Sequence, residues 1–321
     1  MPSSAVGLNR FLRLEWREDE YAALREVITS IATASKYIHR AIGAAGLADV
    51  LGSTERVNVH GEVAQRLDDL ATEVFSEALR RSGYVGGFVC EERESAEIAS
   101  DHSSPRYLCV FDPIDGSSNI DVAVPVGSIF GFYKVPGDGE ITEASFLRPG
   151  KEQIAAAYVV YGSSTQLVLA TGGGVDIFTL DTSVGEYRLT SRNVSIPDDC
   201  PHYSVNEGNF NRWEGALQEA VGELRANYSL RYVGTLVSDF HRGLLKGGIF
   251  MYPGDEKNPE GKLRLLYEAN PLALVAERAG GAASSGKQRI LDITPAAIHQ
   301  RTPLFIGNAQ VIGDLERLLV R

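Results

Sequence analysis

The chain has no long apolar run and no surplus of basic residues. No stretch approaches the ~20 consecutive apolar residues of a membrane-spanning helix, and charges interrupt the short apolar stretch of residues 1–17, unlike a signal peptide. The 31 Lys and Arg residues are outnumbered by 42 Asp and Glu residues, whereas nucleic-acid binding requires a basic surface. We therefore expect a cytoplasmic protein that binds neither nucleic acid nor a membrane.

Cysteine is scarce, and the common catalytic motifs are missing. Cys90, Cys109 and Cys200 fit neither a CxxC pair nor a disulfide framework, which favours a reducing compartment. The sequence contains no GxSxG, GxxxxGKS/T or HExxH motif. An acidic protein that handles an anionic substrate needs local cations, so we expect metal ions or a few well-placed Lys and Arg residues at its site.

Hydrophobic periodicity predicts two helices, then a sheet, then an alternating α/β segment. Apolar residues recur at helical spacing over 21–42 and 63–79. Short strand-like segments separated by Gly-rich or Asp/Gly turns follow, to about residue 190, and are typical of a meandering sheet. Beyond a polar stretch that begins at residue 195, strands alternate with helices. We predict an N-terminal half over 1–195 and a C-terminal half over 196–321.

Carboxylates follow two of the apolar strand-like segments. Glu91 and Glu92 come directly after one segment, and Asp112 and Asp115 come at the end of another. Strand ends are where layered α/β sheets bind ligands, and Mg²⁺ prefers oxygen ligands. An Asp-Pro-x-Asp-Gly sequence alone is usually a solvated turn, but the second acidic pair favours a metal site.

The residues between and after the two aspartates have their own physical interpretation. Pro113 is predicted to stop the strand, which turns the Ile114 carbonyl towards a cation beside both Asp side chains. Gly116 allows the chain to approach a ligand closely. Ser117 and Ser118, with the Asn that follows, favour a helix start whose N–H groups suit a phosphate.

Further acids are candidates for the same site. Glu62 lies nearly in line with Asp69 on the second helix, and spacing alone does not choose between Asp68 and Asp69. Glu268 directly follows an apolar strand-like segment over 263–267. Two carboxylates ~4 Å apart repel by about 4 kcal/mol at an effective dielectric of ~20, so several together require divalent ions or protons.

At this point the sequence resembles a known family. The segment 112–121, DPIDGSSNID, is similar to the signature of fructose-1,6-bisphosphatase, class 1, within the lithium-sensitive phosphatase superfamily. The resemblance continues through 126–131, 204–208, 231–234, 247–253, 261–271 and 299–301. It implies a layered α-β-α-β-α sandwich, with an N-terminal mixed sheet and two long helices, and a C-terminal α/β half with a mainly parallel sheet.

The resemblance also implies a metal centre and its catalytic acids. Two to three Mg²⁺ ions per subunit are expected, with Mn²⁺ as a possible substitute. The residues that match metal ligands are Glu91, Asp112, the carbonyl of Ile114, Asp115 and Glu268, with Glu62 where some members carry Asp. Glu92 and Asp68 match acids that position and deprotonate the attacking water. Glu91 is predicted to be a catalytic acid as well as a metal ligand.

A second group of residues matches those that hold a small phosphorylated sugar. The substrate-binding residues implied are Asp115, Gly116, Ser117, Ser118, Asn206, Arg231, Tyr232, Tyr252, Lys262 and Arg264. Lys262 and Arg264 lie two apart on a predicted strand and should face one side, where an ammonium and a guanidinium suit a phosphate. The match to Arg231 reaches a neighbouring subunit in the family, which implies a homotetramer.

The expected reaction is hydrolysis of the 1-phosphate of fructose 1,6-bisphosphate by a metal-activated water. Alternatives are sedoheptulose 1,7-bisphosphate as a sole or second substrate, inositol-phosphate hydrolysis, or a non-catalytic sugar-phosphate sensor. Asn209 replaces a Tyr that many members use at the distal phosphate, and residues 22–25 do not match the family's AMP-binding loop. The pathway, gluconeogenesis or the Calvin cycle, is left open by the sequence.

Overall fold

We describe a computed structural model of the chain, over residues 6–16, 19–44, 53–57, 63–99, 105–137 and 140–319. The helices are α1 Leu8–Glu15, α2 Asp19–Gly43, α3 Arg66–Arg81, α4 Gly215–Asn227, α5 Leu236–Lys246, α6 Asn270–Arg278 and α7 Ala309–Leu319. In α3, buried Leu67, Ala71, Phe75 and Leu79 recur every four residues, a spacing that places them on one face. The predicted helices over 21–42 and 63–79 correspond to α2 and α3.

The strands of the first half are β1 Ser53–Val57, β2 Val63–Gln65, β3 Val85–Cys90, β4 Glu97–Ile98, β5 Tyr107–Asp115, β6 Val126–Lys134, β7 Ala155–Tyr161, β8 Thr165–Thr171, β9 Gly174–Asp181 and β10 Glu186–Ser191. Those from β3 onwards form an eight-stranded sheet in the order β10-β9-β8-β7-β6-β5-β3-β4. The run from β5 to β10 is antiparallel throughout, as predicted for a meander. Among the described strands of this sheet, β3 and β5 are the one parallel pair.

The strands of the second half are β11 His202–Ser204, β12 Ser229–Leu230, β13 Ile249–Tyr252, β14 Leu263–Arg264, β15 Ala282–Ser284, β16 Arg301–Thr302 and β17 Leu304–Gly307. Five of them form a sheet in the order β12-β11-β13-β17-β15. β11 pairs in parallel with β12 and β13, whereas β17 pairs antiparallel with β13 and β15. The sheet is therefore mixed, and the predicted mainly parallel character is wrong in this detail.

The elements stack as five layers, which confirms the predicted α-β-α-β-α sandwich. One face of the large sheet packs against α2 and α3 in a buried apolar cluster. Its other face packs against α5 and α6, which also contact the second sheet. The far face of that second sheet packs against α4 and α7. Among the described residues, no helix is both long enough and apolar enough to cross a lipid bilayer.

Two local predictions at strand ends are also corrected. Pro113 does not stop β5, which continues to Asp115 through an irregularity in its pairing with β6 between Asp112 and Asp115. A proline is tolerated in a sheet at such a bulge, where no ladder N–H is required. The predicted strand over 263–267 is shorter, because after Arg264 the chain forms one π-helical turn, Leu265–Ala269.

Candidate active site

Two of the predicted acidic segments meet at the ends of neighbouring strands. β3 and β5 are parallel, in a register that places Cys90 beside Phe111. Glu91, which directly follows β3, is therefore adjacent to Asp112, the residue after Phe111 in β5. The Glu91 N–H donates a hydrogen bond to the Phe111 carbonyl (3.2 Å). The charge of Glu91 also acts directly on the Asp112 side chain. The sheet register thus brings acids about 20 residues apart into contact.

A third acidic segment joins them from the second half of the chain. Glu268 lies in the π-helical turn and not at a strand end. One carboxylate oxygen from each of Asp112, Asp115 and Glu268 lies within 4.8 Å of the others, and all three side chains are buried. The turn widens the helical backbone, a feature that often occurs at functional sites.

The electrostatics of this acid cluster are unfavourable without cations. Burial raises the pKa of Asp112 well above its ordinary value, and the charges of Glu91, Glu268, Asp115 and Asp68 raise it further. The pKa of Glu91 is likewise raised well above normal, first by burial and then by Glu268. Repulsion between close carboxylates in a low dielectric is the cause in both cases.

Two features of the protein partly offset this repulsion. Arg264 is buried, and its guanidinium charge acts to lower the pKa of Glu91. Asp115 Oδ2 accepts a hydrogen bond from the backbone N–H of Val237 (2.7 Å), at the start of α5. Burial nevertheless raises the pKa of Asp115 to about 7. Neither feature was foreseen from the sequence.

The donor set fits a hard divalent cation such as Mg²⁺. Asp112 Oδ1 is buried and has no hydrogen-bond partner among the described residues, although a buried carboxylate oxygen normally has one. Clustered carboxylate oxygens are the ligand type that Mg²⁺ prefers. Glu62, also predicted as a ligand, lies outside the described residues, and the direction of the Ile114 carbonyl stays a prediction.

The two acids predicted to activate water lie beside the cluster. Asp68 is buried in the first turn of α3, and its charge raises the pKa of Asp112. Asp69, the next residue, is half-exposed, so the structure separates two aspartates that helical spacing left equivalent. Glu92 is half-buried, and its charge acts on Glu91. A base at either position is within electrostatic reach of the cluster.

The loop after Asp115 is fastened to the segment before α5. Gly116 has φ +77°, and a Cβ there would lie 2.8 Å from Cγ2 of Thr235, so glycine is required for both conformation and space. A 3₁₀ helix, Ser117–Val122, follows. Asn119 Nδ2 donates to Thr235 Oγ1 (2.8 Å) and to the Gly234 carbonyl (3.1 Å).

Three predicted sugar-binding residues also lie together. The Asn206 side chain lies close enough to the Tyr232 hydroxyl to act on its pKa, which burial together with the charge of Tyr252 raises to about 12. Asp115 also acts on this tyrosine. The acids predicted to bind metal and the residues predicted to bind the sugar are therefore neighbours in one region of the structure.

The predicted cations are placed differently from the sequence expectation. Lys262 is exposed whereas Arg264 is buried, so the two do not share a face of a strand. The Arg264 side chain donates to the Lys262 carbonyl and faces the acids. Arg231 is exposed and donates to the Leu230 carbonyl (2.9 Å), and its charge acts on His202.

Two family models match consecutive parts of the chain. The model for the N-terminal domain of fructose-1,6-bisphosphatase matches residues 8–192, and the model for its C-terminal domain matches residues 196–320. The chain belongs to the fructose-1,6-bisphosphatase family. It is accordingly an enzyme, a phosphoric monoester hydrolase acting on fructose 1,6-bisphosphate.

Solved structures of family members agree with this assignment. The holo form of fructose-1,6-bisphosphatase from Leishmania major is 39% identical, with a TM-score of 0.94, over 99% of this chain and 100% of that chain. The apo form of the same enzyme is 38% identical, with a TM-score of 0.90 and the same coverage. The five-layer arrangement is therefore the fructose-1,6-bisphosphatase fold.

Proposed function

We propose that the acid cluster hydrolyses the 1-phosphate of fructose 1,6-bisphosphate, giving fructose 6-phosphate and inorganic phosphate. The observation that carries this proposal is the convergence of Asp112, Asp115 and Glu268 oxygens within 4.8 Å in a buried position. Such a cluster is unfavourable alone and becomes favourable around divalent cations that also attract a phosphate. Family membership supplies the substrate.

Two to three Mg²⁺ ions per subunit, or Mn²⁺ in their place, would be held by the predicted ligands. These are Glu91, Asp112, the Ile114 carbonyl, Asp115, Glu268 and Glu62. When bound, such ions lower the pKa of water and neutralise charge on a transferring phosphoryl group. The buried Asp112 Oδ1, which has no hydrogen-bond partner among the described residues, supports this assignment.

Other residues of the chain accept the proton from water and bind the phosphate oxygens. Glu92 or Asp68 accepts the proton from the attacking water, since both lie beside the cluster and a general base must be close to the proton that it takes. The N–H groups of Gly116, Ser117 and Ser118 hold phosphate oxygens, because the left-handed conformation of Gly116 turns the chain at the end of β5. Glu91 assists as the neighbouring acid, since its charge acts directly on Asp112.

Binding of the sugar and its distal phosphate is proposed for the second group of residues. Asn206, Tyr232 and Tyr252 contact the sugar half, supported by their mutual proximity. The exposed side chain of Lys262 is free to reach a distal phosphate, whereas buried Arg264, facing the acids, is placed to attract a phosphate near them. The exposed Arg231 reaches a neighbouring subunit, which is consistent with its position away from the cluster.

Phosphate release from a substrate panel tests this proposal. We expect Mg²⁺-dependent release from fructose 1,6-bisphosphate, abolished by a chelator, and weaker release from sedoheptulose 1,7-bisphosphate. Neither the sedoheptulose substrate nor an inositol phosphate is favoured by the comparisons. Efficient turnover of inositol monophosphate with none of fructose 1,6-bisphosphate would overturn the proposal, and binding of the sugar without turnover would favour a sensor.

Several broader properties are proposed on the family resemblance. We infer a class 1 enzyme of the lithium-sensitive phosphatase superfamily, assembled as a homotetramer in the cytoplasm and acting in gluconeogenesis or the Calvin cycle. We also propose a metal-binding and regulatory half over 1–195 and a sugar-phosphate-binding half over 196–321, supported by where the two family models meet. Sedimentation and metal analysis of the purified protein would test the subunit and ion counts.

A further inference from the structure

A buried carboxylate outside the acid cluster organises the sugar-binding half of the site. Asp239 lies in the first turn of α5 and is only 2% exposed. It is not among the residues predicted from the sequence. A buried carboxylate is unfavourable unless several donors satisfy it, so its partners indicate what it holds in place.

Asp239 accepts hydrogen bonds from two separate segments. Oδ1 accepts from the Ser204 hydroxyl (2.8 Å) and from the Val233 N–H (2.9 Å). Oδ2 accepts from the Gly234 N–H (2.8 Å) and more distantly from Val233 (3.2 Å). One side chain therefore ties the end of β11 to the loop before α5.

These two segments carry Asn206 and Tyr232, the neighbouring residues that are proposed to bind the sugar. Asn206 lies two residues after Ser204, and Tyr232 directly precedes Val233. In the described part of the chain, the backbone of loop 231–234 is paired only through the Arg231 N–H, which donates to the Tyr203 carbonyl (2.8 Å). Asn119 Nδ2 holds the end of this loop through the Gly234 carbonyl (3.1 Å), whereas Asp239 connects the loop to the segment that carries Asn206.

We propose that Asp239 is a positioning residue that presets the Asn206–Tyr232 pair for the sugar and its distal phosphate. The inference rests on the proposed function of that pair. Ordering a loop before the ligand arrives lowers the entropy lost on binding. The effect of Asp239 therefore falls mainly on substrate affinity and on recognition of the distal phosphate. Its charge also acts on Asp115, so a smaller change in phosphoryl transfer accompanies the change in affinity.

The substitution Asp239→Asn is a sharp perturbation because it keeps the shape of the side chain. An amide nitrogen cannot accept from a backbone N–H. In one orientation it faces the Gly234 N–H, and in the other it faces the Val233 N–H. Either way, at least one donor of the loop loses its partner. Ser204→Ala removes a single donor and leaves the carboxylate, so it serves as a milder variant.

Steady-state kinetics on the full chain with Mg²⁺ test the proposal. For Asp239→Asn we expect KM for fructose 1,6-bisphosphate to rise about ten-fold with kcat changed less than about three-fold, the pattern of lost ground-state binding. The preference for fructose 1,6-bisphosphate over fructose 1-phosphate should fall by a similar factor. Ser204→Ala should raise KM about three-fold.

The matched control is Asp176→Asn on β9. Asp176 Oδ1 also accepts a backbone N–H, that of Asn193 (3.1 Å), but far along the large sheet, so its KM and kcat should equal those of the wild type. An unchanged KM and substrate preference in folded Asp239→Asn, or a loss confined to kcat, would overturn the proposal. Failure of the wild type to release phosphate would instead reject the proposed function.

Discussion

Replacement of Asp115 by Asn should abolish activity and at the same time stabilise the metal-free protein. The two side chains have nearly the same shape, and an Asn oxygen still accepts the Val237 N–H that Asp115 Oδ2 now accepts at 2.7 Å. The variant should therefore keep the fold. What it loses is one negative charge from the acid cluster.

The size of the stabilisation follows from the pKa of Asp115. Burial raises this pKa from 3.8 to about 7, so the folded state binds the proton more tightly than the unfolded chain does. At pH above about 7 the ionised carboxylate destabilises the metal-free fold by about 4 kcal/mol, and this penalty disappears as the pH falls from about 7 towards 4. Asp115→Asn should remove the penalty at all pH values.

Two measurements on the same samples test this reasoning. With a chelator at pH 7.5, the midpoint of thermal unfolding of Asp115→Asn should exceed that of the wild type by about 5 °C or more, and the difference should vanish near pH 4. With Mg²⁺, phosphate release from fructose 1,6-bisphosphate should fall by at least about 10³-fold. Asp314→Asn, an exposed acid on α7, is the control.

Either of two results would refute the argument. Phosphate release at the wild-type level would show that Asp115 is not part of the reacting site. A metal-free variant less stable than the wild type at pH 7.5 would show that the carboxylate is not held at an energetic cost. The wild type should also gain more stability from Mg²⁺ than the variant, since only the wild type has the full ligand set.

Three further predictions concern other parts of the site. Asp68→Asn should lower kcat about 10²-fold if it helps to deprotonate water, whereas Asp69→Asn on the same helix should leave kcat unchanged; equal losses would contradict the assignment. Arg264→Gln should destabilise the chelated protein by about 3 kcal/mol, because it leaves buried acids without their facing cation; thermal unfolding that matches the wild type would exclude that role. Gly116→Ala should destabilise by about 2 kcal/mol and lower kcat, because both the backbone conformation and Thr235 oppose a Cβ. Gly83→Ala, at φ +76° with open space around it, isolates the conformational part, and equal unfolding free energies for the two variants would exclude the steric part.

The large sheet and its helices could be predicted because their residues follow simple periods. α2 and α3 have apolar residues on one helical face, and the strands from β5 to β10 are short apolar runs divided by turns. The second half was harder. The short strand β15 and the helix α7 were not predicted, and the apolar residues around Leu265 indicated a strand where the chain forms a π-helical turn, since periodicity alone does not distinguish the two in so short a run.

For the site, residue types were predictable but orientations were not. The acids could be found because they follow apolar strands, yet the position of Glu268 in a turn depends on tertiary packing. Lys262 and Arg264 were expected side by side because the strand was expected to be longer. Asp239 was missed, although one signal was present: it shares a helical face with the buried Leu236, Phe240 and Gly243, where an acid needs partners.

The acid cluster draws its members from widely separated parts of the chain, and this has a consequence for protein synthesis. Glu91, Asp112 and Asp115 are translated roughly 150 to 180 residues before Glu268. At ribosomal rates of ~5–20 residues per second, the early acids wait roughly ten to thirty seconds for their last partner. During that interval the acids of β3 and β5 lack the Glu268 carboxylate. The metal-binding site can therefore be completed only late in the synthesis and folding of each molecule.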